Sequence, residues 1–262
     1  GFDSFEGKTT VYLNVDGRSG GEVGGSRAAH WMLLETAFRS LVSKQSTGLW
    51  SSHNDHALLN QTGKAALRGI SQEGLFIFHA NRASDINQVL QFSARHQLSS
   101  VISGGQEAWI VRDALAEAGV PVVLNALDNL PGSFDGLGAR LDNAALLHEA
   151  GVTVLFTSGE THNARKLRQV VGNAVANGFP YQAAISAITS VPAAVFGGAP
   201  RLLAPGLNAD LVIWSGDPLE VDSAADQVII DGKLDPMTSR QTQLLKRYLP
   251  TEAALGRAYV RP

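Results

Sequence analysis

The chain has 262 residues, 44% of them hydrophobic and 17% charged, enough for a sizeable core in one large domain or a domain with an appendage. A formal net charge of −3 provides no basic field for nucleic acid, and no run of about 18 apolar residues is present to span a membrane. Cysteine is absent, which excludes disulfides, thiolate nucleophiles and Cys-ligated zinc, so a metal here would need His, Asp or Glu ligands.

The first six residues, Gly1 to Glu6, carry no charged-then-apolar leader pattern and no initiator Met, so a processed, trimmed or partial chain is expected. Cytoplasm and periplasm both remain open as compartments. Residues 1–72 read as irregular, with a strand over Thr9–Val15, a Gly-rich loop over Asp16–Ser26 and a helix over Arg27–Lys44. The loop lacks the closing Gly-Lys-Ser/Thr of a phosphate loop. His53-Asn54-Asp55-His56 sits in a Ser-rich turn and reads as solvated loop.

From Leu75 the pattern becomes periodic. Leu75-Phe76-Ile77-Phe78 is a short apolar strand ending at His79, followed by a helix with Ala83, Ile86 and Leu90 on one face. Ser99–Ser103 is a second strand closed by Gly104-Gly105, and Ala108, Val111, Leu115 and Ala118 mark the next helix. Val120–Leu124 is a third strand, with a long Gly-rich loop from Asp128 to Arg140 and a helix over Asn143–Ala150. Val152–Phe156 is a fourth, followed by a helix over about Asn163–Asn177. Strand–helix alternation with apolar strands implies a parallel sheet covered by helices. The unit length of roughly 25–35 residues suits a (β/α)8 barrel or a doubly wound sheet. No G-x-G-x-x-G follows a strand, which favours the barrel.

Beyond Phe179 the texture changes again. Pro180–Phe196 is expected to be a helix broken at Pro192. Ala209–Trp214 and Gln227–Gly232 read as strands bounded by Gly216-Asp217-Pro218 and Asp231-Gly232, and Ser239–Leu249 as a short helix.

The run Leu203-Ala204-Pro205-Gly206-Leu207-Asn208-Ala209-Asp210-Leu211-Val212-Ile213-Trp214, with Gly216-Asp217-Pro218 after it, resembles the end of amidohydrolase-superfamily enzymes. Val228–Lys233 and Ala183–Gly197 are similar to the neighbouring family segments. His79-Ala80-Asn81-Arg82-Ala83, Gly104-Gly105-Gln106-Glu107-Ala108-Trp109 and His162-Asn163-Ala164-Arg165 look like the imidazolonepropionase-related branch. The resemblance covers roughly residues 70–250. It implies an α/β chain: the C-terminal half of a TIM-type (β/α)8 metal-hydrolase barrel over 1–200, and a small β-sandwich contributed by 201–262.

The resemblance further implies hydrolysis of a C–N bond, in a cyclic amide or a dipeptide-like substrate, by water activated on a divalent metal, zinc by expectation. His79 matches the family's fifth-strand metal ligand; alone, it would read as a His satisfying a strand-end carbonyl. Glu160 falls where the eighth strand's catalytic Asp is expected, as base or metal ligand, with His162 two residues on; helix capping is the alternative for this stretch. Asn81, Arg82 and Arg165 are candidates for binding a substrate carboxylate, against plain loop hydrogen bonding. Glu107 either faces the site or is an acidic residue in a helix's first turn. Asp128 and Asn129 carry the same ambiguity as the loop arginines.

Two departures count against an intact metal site. Ser103-Gly104-Gly105 stands where a sixth-strand His is usual, and no His-x-His occurs anywhere. About four clear βα units are countable, so the first barrel strands are expected upstream or on another chain, with association through the exposed strand edges. The rival expectation is a catalytically degenerate relative that binds a small molecule or serves as a partner subunit. An unrelated α/β binding protein with an open sheet is the third.

Overall fold

A computed structural model describes residues 7–17, 25–42 and 58–249. The segment Gly1–Glu6, most of the Gly-rich loop, the end of the first helix at Lys44 and His53-Asn54-Asp55-His56 lie outside the described residues. The chain forms two compact units. One comprises residues 1–202 with 219–221, the other residues 203–218 with 222–262.

The first unit is built on five strands, β1 (Thr10–Asn14), β2 (Leu75–Ala80), β3 (Ser100–Gly104), β4 (Val122–Leu124) and β5 (Val154–Phe156). They lie side by side in chain order and every pairing is parallel. Parallel neighbours require crossovers, which are made by α1 (Arg27–Val42) with α2 (Gln61–Glu73), α3 (Ala83–His96), α4 (Arg112–Ala118) and α5 (Asn143–Glu149). After β5 come α6 (Leu167–Ala176), α7 (Tyr181–Ala187) and α8 (Ser190–Phe196).

Strand alternation sorts the side chains. Val15, Phe76, Phe78, Ala80, Ile102, Val122, Leu124, Val154 and Phe156 fall on one face and join Phe38, Ile86, Val89, Phe92, Leu115, Leu147 and Val171 in a continuous core. Burying a side chain such as Phe76 or Phe78, both fully buried, contributes about 1.5–3 kcal/mol each. The alternate residues Tyr12, Ile77, His79 and Ser103 share register positions on the opposite face. Tyr12 is 59% exposed there.

The structure corrects several expectations. Among the described residues the sheet does not close: β1 pairs only with β2 and β5 only with β4. The strand at Thr10–Asn14, placed with an irregular region, is a full member of the sheet, which makes five strands rather than four. Residues 61–73 are helical, begun by Asn60, whose side chain accepts from the Gly63 N–H at 2.7 Å. Its apolar positions are sparse, which hid it. The break in the 180–196 helix falls at Ile188–Thr189 rather than at Pro192. Pro192 lies in the first turn of α8, where a missing N–H leaves no intrahelical bond unmade.

The second unit holds β6 (Leu211–Trp214), β7 (Ala225–Ile230) and β8 (Lys233–Leu234), antiparallel in that order, and α9 (Arg240–Tyr248). Asp231 and Gly232 turn the chain with φ of 50° and 73°, the positive pair that a two-residue hairpin favours. The expected sandwich is a single three-stranded layer among the described residues. Val212 and Ile213, on the two faces of β6, are 44% and 48% exposed.

Candidate functional site

Because all five strands run the same way, their C-terminal ends form one edge. It carries Asp16 after β1, His79 and Asn81 at β2, Gly104 at β3, Asn125 after β4, and the segment from Thr157 to Glu160 after β5. In parallel α/β sheets this edge is where ligands and catalytic groups gather.

His79 stands in register with Asn14 on one side and Ser103 on the other. Its backbone carbonyl accepts from the Val15 N–H at 3.1 Å, which carries the chain on to Asp16. The Asp16 N–H then donates to Asn14 Oδ1 at 3.1 Å. This turn brings the Asp16 carboxylate, on a residue only 6% exposed, to 3.8 Å from His79 Nε2. Asn81 Nδ2 lies 3.4 Å from the same ring nitrogen, and the Tyr12 ring stacks at 6.3 Å. His79 Nδ1 is buried without a hydrogen-bond partner. Asn81 Nδ2 can only donate, so it bonds Nε2 in the tautomer protonated at Nδ1; with the proton on Nε2, facing Asp16, that bond is absent and Nδ1 presents a free lone pair.

Gly104 makes this arrangement possible. Its φ of 98° is open to glycine, and a Cβ would stand 2.6 Å from Asn81 Oδ1 and 3.0 Å from His79 Cε1. The absence of a side chain at the end of β3 therefore has a local reason: this backbone is the floor under His79 and Asn81.

The other sequence candidates separate. Glu107 is buried, and both its oxygens accept backbone N–H groups, from Ala83 at 3.0 Å and Gly138 at 2.9 Å. It joins the start of α3 to the β4–α5 loop, which leaves its carboxylate committed to the scaffold. Arg82 donates to the Phe134 carbonyl at 2.7 Å and pairs with Asp135 at 3.3 Å. Asp135 also accepts from the Gly17 N–H at 2.9 Å and pairs with Arg27, whose Nε is 3.1 Å from buried Asp85. Asp128 and Asn129 border a narrow crevice with Gln106, Asn125 and Arg140, and Asn129 donates to the Ala126 carbonyl at 2.9 Å.

Glu160, His162 and Arg165 are exposed around the 3-10 turn Thr161–Lys166. The Glu160 backbone carbonyl accepts from Asn163, while its side chain makes no capping bond. Arg165 donates to the His162 carbonyl at 3.3 Å. Glu160 shares the edge with His79, three strand steps away. At about 4.8 Å per step that is on the order of 14 Å along the sheet. Among the described residues no group of three His, Cys, Asp or Glu side chains comes together to hold a metal ion. The structure thus brings together His79 and Asn81, with Asp16 added, and leaves Glu160, His162 and Arg165 apart from them. Asp16 was missed as a site residue. The available signal was an acidic residue immediately past a strand end.

Burial pushes the Asp85 carboxyl above its ordinary value, with Arg27 opposing. Asp135 feels burial too, yet the Gly17 N–H and Arg27 outweigh it and hold its carboxyl below the usual carboxylate range.

No family model matches the chain. Over 90 residues, 33% of this chain, it is 36% identical to Amidohydrolase tasK of Hapsidospora irregularis, and that stretch is 9% of the relative's length. Its fold matches a solved amidohydrolase from Thermotoga maritima MSB8 with a TM-score of 0.67 and 22% identity, over 86% of this chain and 61% of that one. The parallel five-stranded α/β fold is therefore one that an amidohydrolase also has. The sequence match is thus to an amidohydrolase over a third of this chain, and the solved structure adds a likeness of fold.

Proposed function

We propose that the chain is part of a hydrolase acting on C–N bonds, of the imidazolonepropionase-related kind, with its reaction centre at the strand edge occupied by His79. The observation that carries this reading is the buried, unpartnered Nδ1 of His79 at the end of a parallel strand. An imidazole nitrogen with no partner costs free energy unless something uses it. The sequence match to an amidohydrolase supports the same reading.

A divalent metal fits this nitrogen, with Asp16 behind the ring as the carboxylate that fixes its tautomer. When bound, such a metal supplies a water acidic enough to attack an amide carbonyl at neutral pH. One imidazole does not make a metal site, and the described residues bring no further pair of donors to it. On this reading the remaining ligands come from outside the described residues, and strands pairing at the outer edges of β1 and β5 are the expected source. The part played by this chain is to hold His79 through Asp16 over the Gly104 backbone, beside Asn81; Glu160, on the order of 14 Å away along the sheet, would act as proton acceptor there once closure of the barrel carried it across the mouth. Arg82 is already paired with Asp135, so Asn81 is the better placed of the two for a substrate polar group.

The test is elemental analysis of the purified chain together with hydrolysis of cyclic amides and dipeptides, with added zinc or manganese. Bound metal or turnover that disappears in His79→Ala is the expected result. Absence of both metal and turnover from a polypeptide that also carries such further strands would defeat the proposal. That outcome would favour the second reading, a degenerate amidohydrolase relative acting as a ligand-binding or partner subunit, which Gly104 in place of a usual His motivates.

A further inference from the structure

The loop between β4 and α5 is long, and residues 128–140 of it do not simply connect. They run back along the strand-end edge toward β1. Gly138 receives Trp109 Nε1 on its carbonyl at 2.8 Å and gives its N–H to Glu107, beside β3. Phe134 offers its carbonyl to Arg82, beside β2. Asp135 reaches the Gly17 N–H and Arg27, beside β1. A single carboxylate thus gathers two guanidiniums and one backbone N–H from two different βα connections. Asp135 and Gly136 are shielded from solvent, whereas Leu130, Phe134 and Leu137 are 72%, 83% and 61% exposed. The segment touches down at a few points and packs little apolar surface.

One contact works against closure. Gln106 Oε1 is buried without a hydrogen-bond partner, and it is pressed against Gly136: a Cβ there would stand 1.6 Å from it. Covering an unsatisfied carbonyl is unfavourable, and lifting the segment would return that oxygen to water.

We propose that residues 128–140 form a strap that opens and closes over the strand-end edge, with Asp135 as its clasp and Gln106 as the element that opposes closure. The clasp is charge-assisted and its two guanidiniums, Arg27 and Arg82, are 31% and 36% exposed, so salt weakens it. The orphaned carbonyl is uncharged, so salt leaves its effect unchanged. Opening frees Arg82 and uncovers Gln106. The closed state is therefore the one in which Arg82 is unavailable to a ligand. This inference does not depend on the reaction proposed above.

Amide hydrogen exchange on the full chain tests it, read at Gly138 and Gly17, whose N–H groups bond across the edge of the closed strap, to Glu107 and to Asp135. Asp135→Asn is expected to speed exchange at these amides about tenfold, with the amides of β2 and β3 unchanged. Gln106→Met, which keeps the bulk and removes the carbonyl, is expected to slow it several-fold. A rise to 1 M NaCl is expected to speed exchange in the unaltered chain and to do little in Asp135→Asn. The salt measurement stands even if a variant fails to fold. Equal strap exchange in all three proteins, or the same direction of change in both variants, overturns the proposal, as does salt-independent exchange in the unaltered chain.

Discussion

Asp16 and His79 face each other across the β1–β2 pairing, carboxylate oxygen to ring nitrogen, at 3.8 Å. Sixty-two residues separate them in the chain, and the parallel register of Asn14 with His79 closes that distance. A carboxylate behind an imidazole fixes which nitrogen keeps the proton, and hence which one is open to a ligand. Asp16→Asn is therefore expected to weaken divalent-cation binding by about 10- to 100-fold with little change in fold. Calorimetric titration of zinc, with circular dichroism as the control, checks it. Unchanged affinity would separate Asp16 from the function of His79.

Gly104→Ala should be costly in two ways. The backbone at φ 98° resists a side chain, and the new methyl would meet Asn81 Oδ1 and His79 Cε1. A loss of about 1–3 kcal/mol in urea-denaturation stability is expected from the backbone alone. The displaced His79 and Asn81 should lower any ligand affinity as well. By contrast, Gly119→Ala has open space for its methyl and only the φ of 61° to overcome, so it should cost less.

Glu107→Gln tests a scaffold carboxylate. Each oxygen now accepts one N–H, from Ala83 and from Gly138. An amide turns one acceptor into a donor facing a donor, in a buried position. A destabilisation of about 1–3 kcal/mol is expected, with faster exchange at whichever of the two amides loses its acceptor. A substrate-binding role alone would leave stability unchanged and alter only ligand affinity.

Two aspartates beside Arg27 should act on acid stability in opposite senses. Asp135 has its folded carboxyl below the ordinary value of 3.8. Its contribution is therefore complete above the unfolded value and is lost as pH falls through the folded one. Asp85 is raised by burial, against Arg27. Its contribution is complete below 3.8 and is lost as pH rises through its folded value. Chemical denaturation from pH 2 to 7 should show a shallower acid loss in Asp135→Asn and a steeper one in Asp85→Asn. Parallel profiles for all three proteins would contradict these assignments.

Phe92 ties the helices to the sheet. Its ring lies 5.4 Å from Trp31, 5.0 Å from Phe38, 6.3 Å from Phe78 and 4.6 Å from His96, centroid to centroid. Phe92→Ala should cost about 3–5 kcal/mol in unfolding free energy. Met32→Ala, on an exposed position of α1, should change it by less than about 0.5 kcal/mol.

All five strands were legible as short runs between turn residues, and His79 stood out as a polar residue ending one of them. The role of Thr10–Asn14 was not legible. It pairs with Leu75–His79 across more than sixty residues, and nothing local states that two runs will be neighbours. The helix at 61–73 escaped because its apolar positions are few and none of its residues is buried. Glu107 looked like a plain first-turn acid. Its two N–H partners come from residues 83 and 138, and only the fold brings them together.

Composition and periodicity determined the α/β class, the parallel sheet and the position of His79, because burial on alternating faces is written directly in residue order. Tertiary structure alone decided that Asp16 stands behind that imidazole, that Glu160 remains three strands off, and that Asp135 reaches Gly17 across 118 residues. Those relationships depend on strand register and on loops returning over the sheet. Polar loop residues have no period from which such meetings can be read.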